Sequence, residues 1–199
     1  MKKIIAAATL AITGTAFAQV SNFTGYSAGV NLDHTAVTTK LSAGSATIDG
    51  LGQQSVGATV YAAYGVAVDS NTVVNLGATY GLTNAKGGST DDGSGPLTAK
   101  AKNQYSLYVE PGMLLNDKTL AYGKISYNSA KMELDAQGDV GSKSINGLGY
   151  GFGIRTMLDK NMSLNVEIKR VNYSTETVLT DVDFKTTATV GSIGIGYKF

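Results

Sequence analysis

Apolar and polar residues alternate with a period of two through most of the chain, and the pattern recurs eight times. The clearest run is 55–67, where Val56, Ala58, Val60, Ala62, Tyr64 and Val66 share one face. Ser55, Gly57, Thr59, Tyr61, Ala63 and Gly65 fall on the other. Residues 73–83 set Val74, Leu76, Ala78, Tyr80 and Leu82 against Asn75, Gly77, Thr79 and Gly81. Residues 146–156 set Leu148, Tyr150, Phe152 and Ile154 against four glycines and Arg155. Weaker versions cover 23–34, 103–113, 119–128, 162–173 and 184–199. Period two predicts strands, because successive strand side chains point to opposite faces. Each run is about the 9–11 residues that a tilted strand needs to cross a bilayer, or slightly longer.

The connections alternate in length. Those at 68–72, 114–118 and 157–161 are short and turn-like, as in Asp69-Ser70-Asn71, Asn116-Asp117-Lys118 and Asp159-Lys160-Asn161. Those at 35–53, 84–102 and 129–145 are long and polar, and 174–183 is intermediate. Short turns on one rim and long loops on the other are the plan of an antiparallel up-and-down transmembrane barrel. The expected fold is therefore all-β, an eight-stranded antiparallel up-and-down transmembrane β-barrel.

The first residues read as a targeting segment. Lys2 and Lys3 precede the apolar stretch Ile4–Ile12, and Ala16-Phe17-Ala18 has the small-x-small form of a cleavage site. The expected division is a cleaved signal peptide at 1–18 and a barrel domain at 19–199. Cleavage leaves 14 Lys and Arg against 15 Asp and Glu, which lacks the basic excess that nucleic acid demands. With no cysteine, disulfides, a thiolate metal site and a lipoprotein anchor are all ruled out. No run after Ala18 approaches the roughly 18 apolar residues of a membrane helix.

A soluble eight-stranded barrel also alternates, with its apolar face inward. Here the face opposite the apolar rows is mostly Gly, Ser, Asn and Thr, and only 16% of residues are charged, against roughly 25% in ordinary domains. Such a face suits a narrow interior better than a wet exterior. The phase of 119–128 is ambiguous; a lysine facing lipid costs roughly 2–4 kcal/mol near the midplane. Lys124 is therefore assigned inward, with Ala121, Gly123, Ile125 and Tyr127 outward.

The chain ends Ile193-Gly194-Ile195-Gly196-Tyr197-Lys198-Phe199. Its terminal phenylalanine, with Ile195 and Tyr197 at alternate positions, resembles the signal by which outer-membrane barrels are recognised for assembly. Glu110-Pro111-Gly112 before a turn and Leu120-Ala121-Tyr122-Gly123 after it are also similar to the small porin-like barrels. The resemblance, which spans 19–199, is to the stand-alone eight-stranded barrels of the outer-membrane protein A and X type. It implies a cell outer-membrane location, reached through the periplasm, with outer-membrane lipids and the barrel assembly machinery as partners. Since Phe199 ends the chain, no periplasmic peptidoglycan-binding domain is expected.

Two enzyme types share this architecture, lipid A palmitoyltransferases and deacylases. His34, Asp33, Ser42 and Ser45 supply histidine, carboxylate and hydroxyl groups, but no motif fixes their geometry, and a lone histidine at a strand end reads as a surface residue. Asp91 and Asp92 lack the spacing of a calcium loop. No catalytic, cofactor or metal residue is assigned. Glu110, Lys124, Arg155, Glu167 and Lys169 form an expected interior polar cluster, either a structural plug or a pore lining. Eight strands leave an interior that side chains just fill, which favours the plug. Arg170 and Lys185 fall outward at the outer rim, where basic side chains reach lipid phosphates. The leading functional expectation is a non-enzymatic barrel whose loops at 35–53, 84–102 and 129–145 contact host or surface ligands or serve envelope integrity. The alternatives are a narrow porin for ions or very small solutes and, third, a lipid A-modifying enzyme.

Overall fold

The computed structural model describes residues 20–43, 46–91, 96–136, 139–174, 176–179 and 182–199, with side chains described outside 39–51, 85–100, 134–141 and 176–185. Residues 1–18, expected to form a signal peptide, lie outside the described residues.

A 3-10 turn, Val20–Phe23, precedes ten strands. They are β1 (Gly25–Ala43), β2 (Ala46–Ala67), β3 (Thr72–Gly81), β4 (Ala85–Asp91), β5 (Pro96–Asn116), β6 (Thr119–Ala136), β7 (Asp139–Met157), β8 (Met162–Tyr173), β9 (Glu176–Leu179) and β10 (Val182–Lys198). Eight of them form the barrel in the order β1-β2-β3-β5-β6-β7-β8-β10, and β10 pairs back with β1 to close it. β4 and β9 are short outer strands, β4 on β5 and β9 on β10. Closure leaves no sheet edge along the spanning part, so every backbone group there has a partner.

The alternation resolves as expected in the spanning part. Leu32, Val56, Leu76, Leu107, Ile125, Phe152, Ile168 and Ile193 are exposed on the outer face. Aromatic residues bound this belt at both ends, with Tyr26, Tyr64, Tyr197 and Phe199 near the turns and Tyr80, Tyr105, Tyr127 and Tyr150 towards the hairpins. The Tyr26 and Tyr64 rings stand 4.7 Å apart on paired positions of β1 and β2. Lys124 is buried inside and Ile125 is exposed outside, which settles the phase of β6.

One expectation is corrected. Residues 35–53, 84–102 and 129–145 are not irregular loops. They are mostly strand, because the β1–β2, β4–β5 and β6–β7 ladders continue beyond the apolar belt. The alternation persists there but reverses its sense. Ala130, Val171 and Ala188 are buried on the inner face, while Gln54, Lys131, Ser144 and Asn172 are exposed on the outer one. Outside the membrane the solvent is water, so the strands adopt ordinary soluble polarity with apolar residues inward. The sequence looked loop-like because polar residues had moved to the outer row.

Two ladders of the wall stop short of the others. The β2–β3 ladder ends at Thr59–Gly81 and the β7–β8 ladder at Gly147–Tyr173. Beyond them the strands run as two four-stranded groups, β2-β1-β10-β9 and β4-β5-β6-β7.

At the turn end, Val20 and Phe23 enter the mouth of the barrel and pack on Val73, Leu114, Leu120 and Met157. Asn22 donates to the Asp117 carbonyl (2.8 Å), and the Lys198 ammonium donates to the Ser21 carbonyl. Gly25 turns the chain from this stopper into β1 at a φ of 88°, in the left-handed region that favours glycine.

Candidate functional site

The interior charges converge because their strands do. Glu110 of β5 and Lys124 of β6 sit across one ladder, and Lys124 Nζ lies 3.0 Å from Glu110 Oε1. The same ammonium pairs with Glu167 of β8. Arg155 of β7 reaches past β6 to Glu110, with Nη2 3.1 Å from Oε2. Its Nε donates to Asn165 Oδ1 at 2.8 Å, and Asn165 donates in turn to Tyr61 Oη at 2.9 Å. Tyr122 donates to Glu167 at 3.1 Å. Two carboxylates and two cations thus cancel inside one bonded network, as buried charge requires.

The network is compact because tyrosines lie over glycines. Tyr61 faces Gly29, Tyr108 faces Gly77 and Tyr122 faces Gly153, each directly across a ladder. A Cβ on Gly153 would come within 2.6 Å of the Tyr122 ring carbon that carries the hydroxyl. Two of the rings lie beneath the cations. Lys124 Nζ is 4.4 Å from the Tyr108 ring centre, and Arg155 Cζ is 5.2 Å from that of Tyr122.

Among the described residues the network borders two small cavities of about 20 Å³ each, room for roughly one water. One is lined by Asn31, Thr79, Glu167 and Ser192, the other by Thr24, Ser27, Ser163 and Lys198. Tyr61 and Arg155 line both and so form the partition between them.

Of the five interior residues expected to cluster, four share the network. Lys169 lies two residues beyond Glu167 on the same inner face, but it has no ion-pair partner among the described residues. Arg155 and Glu167 lie at different depths on adjacent strands. Arg155 is paired with Asn165, and Glu167 with Gly153. The sequence reading left out Tyr61, Tyr108, Tyr122 and Asn165 as network members. All four occupy the inner parity of their strands, which was the available signal.

Other candidates are dispersed. Asp33 is buried and accepts from Ser192 Oγ at 2.6 Å, while His34 is exposed on the opposite face. The two therefore cannot act as a histidine–carboxylate pair. Ser42 and Ser45 lie outside the described side chains, as do Asp91 and Asp92. Arg170 is exposed on the outer face of β8. Lys185 belongs to β10 and is paired in register with Lys40, its side chain outside the described set. Ile195, Tyr197 and Phe199 are exposed on the outer face; the Tyr197 and Phe199 rings meet edge-on at 5.2 Å, and Phe199 N donates to the Tyr26 carbonyl at 3.0 Å.

Comparison with known proteins places this architecture. The sequence matches the outer membrane protein beta-barrel domain family over residues 4–199. OprG of Pseudomonas aeruginosa aligns with a TM-score of 0.52 at 14% identity, covering 88% of this chain and 96% of that one. Neisserial surface protein A aligns at 0.50 and 14% identity, covering 85% and 97%. Ail, the attachment invasion locus protein of Yersinia pestis, aligns at 0.49 and 15% identity, covering 88% and 99%. No curated protein matches the chain in sequence. The chain belongs to the outer membrane protein β-barrel domain family, and its place is the outer membrane.

Proposed function

We propose that this member of the family is a non-enzymatic barrel, closed along its axis, that acts through the strand hairpins it projects outward. The proposed role is adhesion, host contact or envelope integrity, with β1–β2, β4–β5 and β6–β7 as the contact surface. The observation that carries the reading is the Glu110–Lys124–Arg155–Glu167 network with its overlying tyrosines. It lies across the lumen within the belt, where the two cavities it borders hold about 20 Å³ each, which supports a plug over a conduit. The continued ladders support a rigid projecting surface in place of mobile loops. Outer-membrane lipids around the apolar belt and the assembly machinery at Ile195, Tyr197 and Phe199 complete the proposed partners. Export by a signal peptide at 1–18 belongs to the same reading.

A planar-bilayer recording of the refolded protein, with a gel comparing boiled and unboiled samples, is the test. A mobility shift on boiling together with electrical silence is expected. Reproducible conductance steps would favour the narrow-porin reading. Altered lipid A in an overexpressing strain would favour the enzyme. Replacing the three hairpins with short turns should abolish surface binding while leaving the mobility shift intact.

A further inference from the structure

The reversal of polarity locates the outer edge of the apolar belt on each strand. On β8 it falls between Ile168, exposed and apolar, and Arg170. On β1 it falls between Leu32 and His34, and on β10 between Ile193 and Thr189. The register aligns these positions into one facet: His34, Gly191 and Ile168 are paired in one row, and Ala36, Thr189 and Arg170 in the next. His34 and Arg170 thus stand roughly 12 Å apart, by two strand spacings and two residues. Between them lie only Gly191, Thr189 and Ala36.

The floor is low by construction. A Cβ on Gly191 would meet no atom within 4 Å, so packing does not require glycine there, and the position leaves a notch on the outer surface. Thr38, Thr187 and Asn172 stand on the water side and supply hydroxyl and amide groups. Ile168, Ile193 and Leu32 continue the facet on the membrane side.

The opposite facet carries cations too, with Lys131 of β6 exposed beside Lys102 of β5. Lys102 of β5 also lies at the outer edge, but its ammonium is 2.6 Å from Glu133, so its charge is already met within the protein. Arg170 and His34 have neither an ion-pair nor a hydrogen-bond partner among the described residues. A guanidinium at the depth of lipid headgroups takes a phosphate as its counter-ion, and its planar fork binds phosphate with two parallel hydrogen bonds.

We infer that the β1–β10–β8 facet is a binding site for a phosphate-bearing lipid of the outer leaflet. Arg170 takes the phosphate and His34 flanks the headgroup, which rests on Gly191 and Thr189. The acyl chains run down over Ile168 and Ile193. The inference rests on the outer-membrane location and not on the proposed role of the hairpins.

The test is native mass spectrometry of the refolded protein in detergent with diphosphorylated lipid A, or with the same lipid stripped of phosphate. Each variant is first checked for the mobility shift on boiling; a wild type without that shift would count against the barrel rather than the site. Wild type is expected to retain the phosphorylated lipid. Arg170→Gln should retain it about tenfold less well, and Lys102→Gln should behave as wild type. Gly191→Leu places bulk in the notch from a Cβ that meets no atom within 4 Å, and it should also lose the lipid. Excess inorganic phosphate should not displace the lipid, since the acyl chains contribute to binding. Equal retention of the dephosphorylated lipid overturns the inference. So does full retention by folded Arg170→Gln, or by folded Gly191→Leu should the arginine variant not fold.

Discussion

Arg155 and Glu110 meet at 3.1 Å although their strands are not neighbours, so the contact crosses the lumen past the whole of β6. Glu110 is Arg155's only carboxylate partner among the described residues, whereas Lys124 has two. The carboxylates are therefore unequal. Glu110→Ala should destabilise the barrel by about 3–5 kcal/mol, because it strands a buried guanidinium. Glu167→Ala should cost clearly less, since Lys124 keeps Glu110. Urea unfolding in lipid vesicles measures both, and equal losses would show that the pairs are interchangeable.

The same network predicts electrical behaviour. Glu110→Ala combined with Glu167→Ala removes both carboxylates and leaves Lys124 and Arg155 to repel each other. Conductance steps should appear where wild type is silent, and they should favour anions. A silent double variant that still shows the mobility shift would mean that Tyr61, Tyr108 and Tyr122 close the lumen without the charges.

Tyr122 and Gly153 offer a test of packing. Gly153→Val places a side chain where the ring lies, an overpacking that should cost about 1–3 kcal/mol. Tyr122→Ala in the same chain should recover part of that loss. A double-mutant cycle with no coupling would show that the ring moves aside freely.

The stopper at the turn end should matter as much as a core residue. Phe23→Ala removes a ring packed among Val73, Leu114 and Met157, at a cost of about 3–5 kcal/mol. The measurement is again the urea midpoint. A change under a tenth of that would mean that the stopper is dispensable to the barrel.

The two Asp-x-Asn turns carry a pH dependence of known sign. Asn71 N donates to Asp69 Oδ1 at 2.7 Å, and Asn161 N and Met162 N donate to Asp159 at 2.8 and 2.7 Å. These backbone bonds hold both carboxyls below the ordinary aspartate range. A group lowered on folding stabilises the fold above its unfolded pKa, near about 3.9, and that contribution is lost as pH falls through the folded value. Wild type should thus exceed the Asp69→Asn/Asp159→Asn variant in unfolding midpoint at pH 6, and the gap should close below about pH 3. A gap that stays constant with pH would assign the effect to turn geometry alone.

Much of this was legible in the one-dimensional pattern. Within the membrane, lipid outside and a filled interior impose one parity on every strand, so Val56, Leu76, Phe152 and Lys124 could be oriented without coordinates. The long connections misled because the rule changes at the membrane edge. In these stretches Thr38, Lys131 and Ser144 are polar and exposed on the outer row, so they look like loop until Ala130 is seen buried on the inner one.

The sequence by itself determined the number of membrane-spanning strands, the turn end and hairpin end, and the inward placement of Glu110, Lys124, Arg155, Glu167 and Lys169. Each depends on period, length or composition, which are local properties of the chain. Only the tertiary structure decided which charges meet. That depends on register and on reach across the lumen, so Arg155 finds Glu110 two strands away rather than Glu167 on the adjacent strand, and Lys169 stays outside the network. It also separated Asp33 from His34, neighbours in the chain that a strand turns to opposite faces, and aligned His34 with Arg170 across a glycine 157 positions from one and 21 from the other.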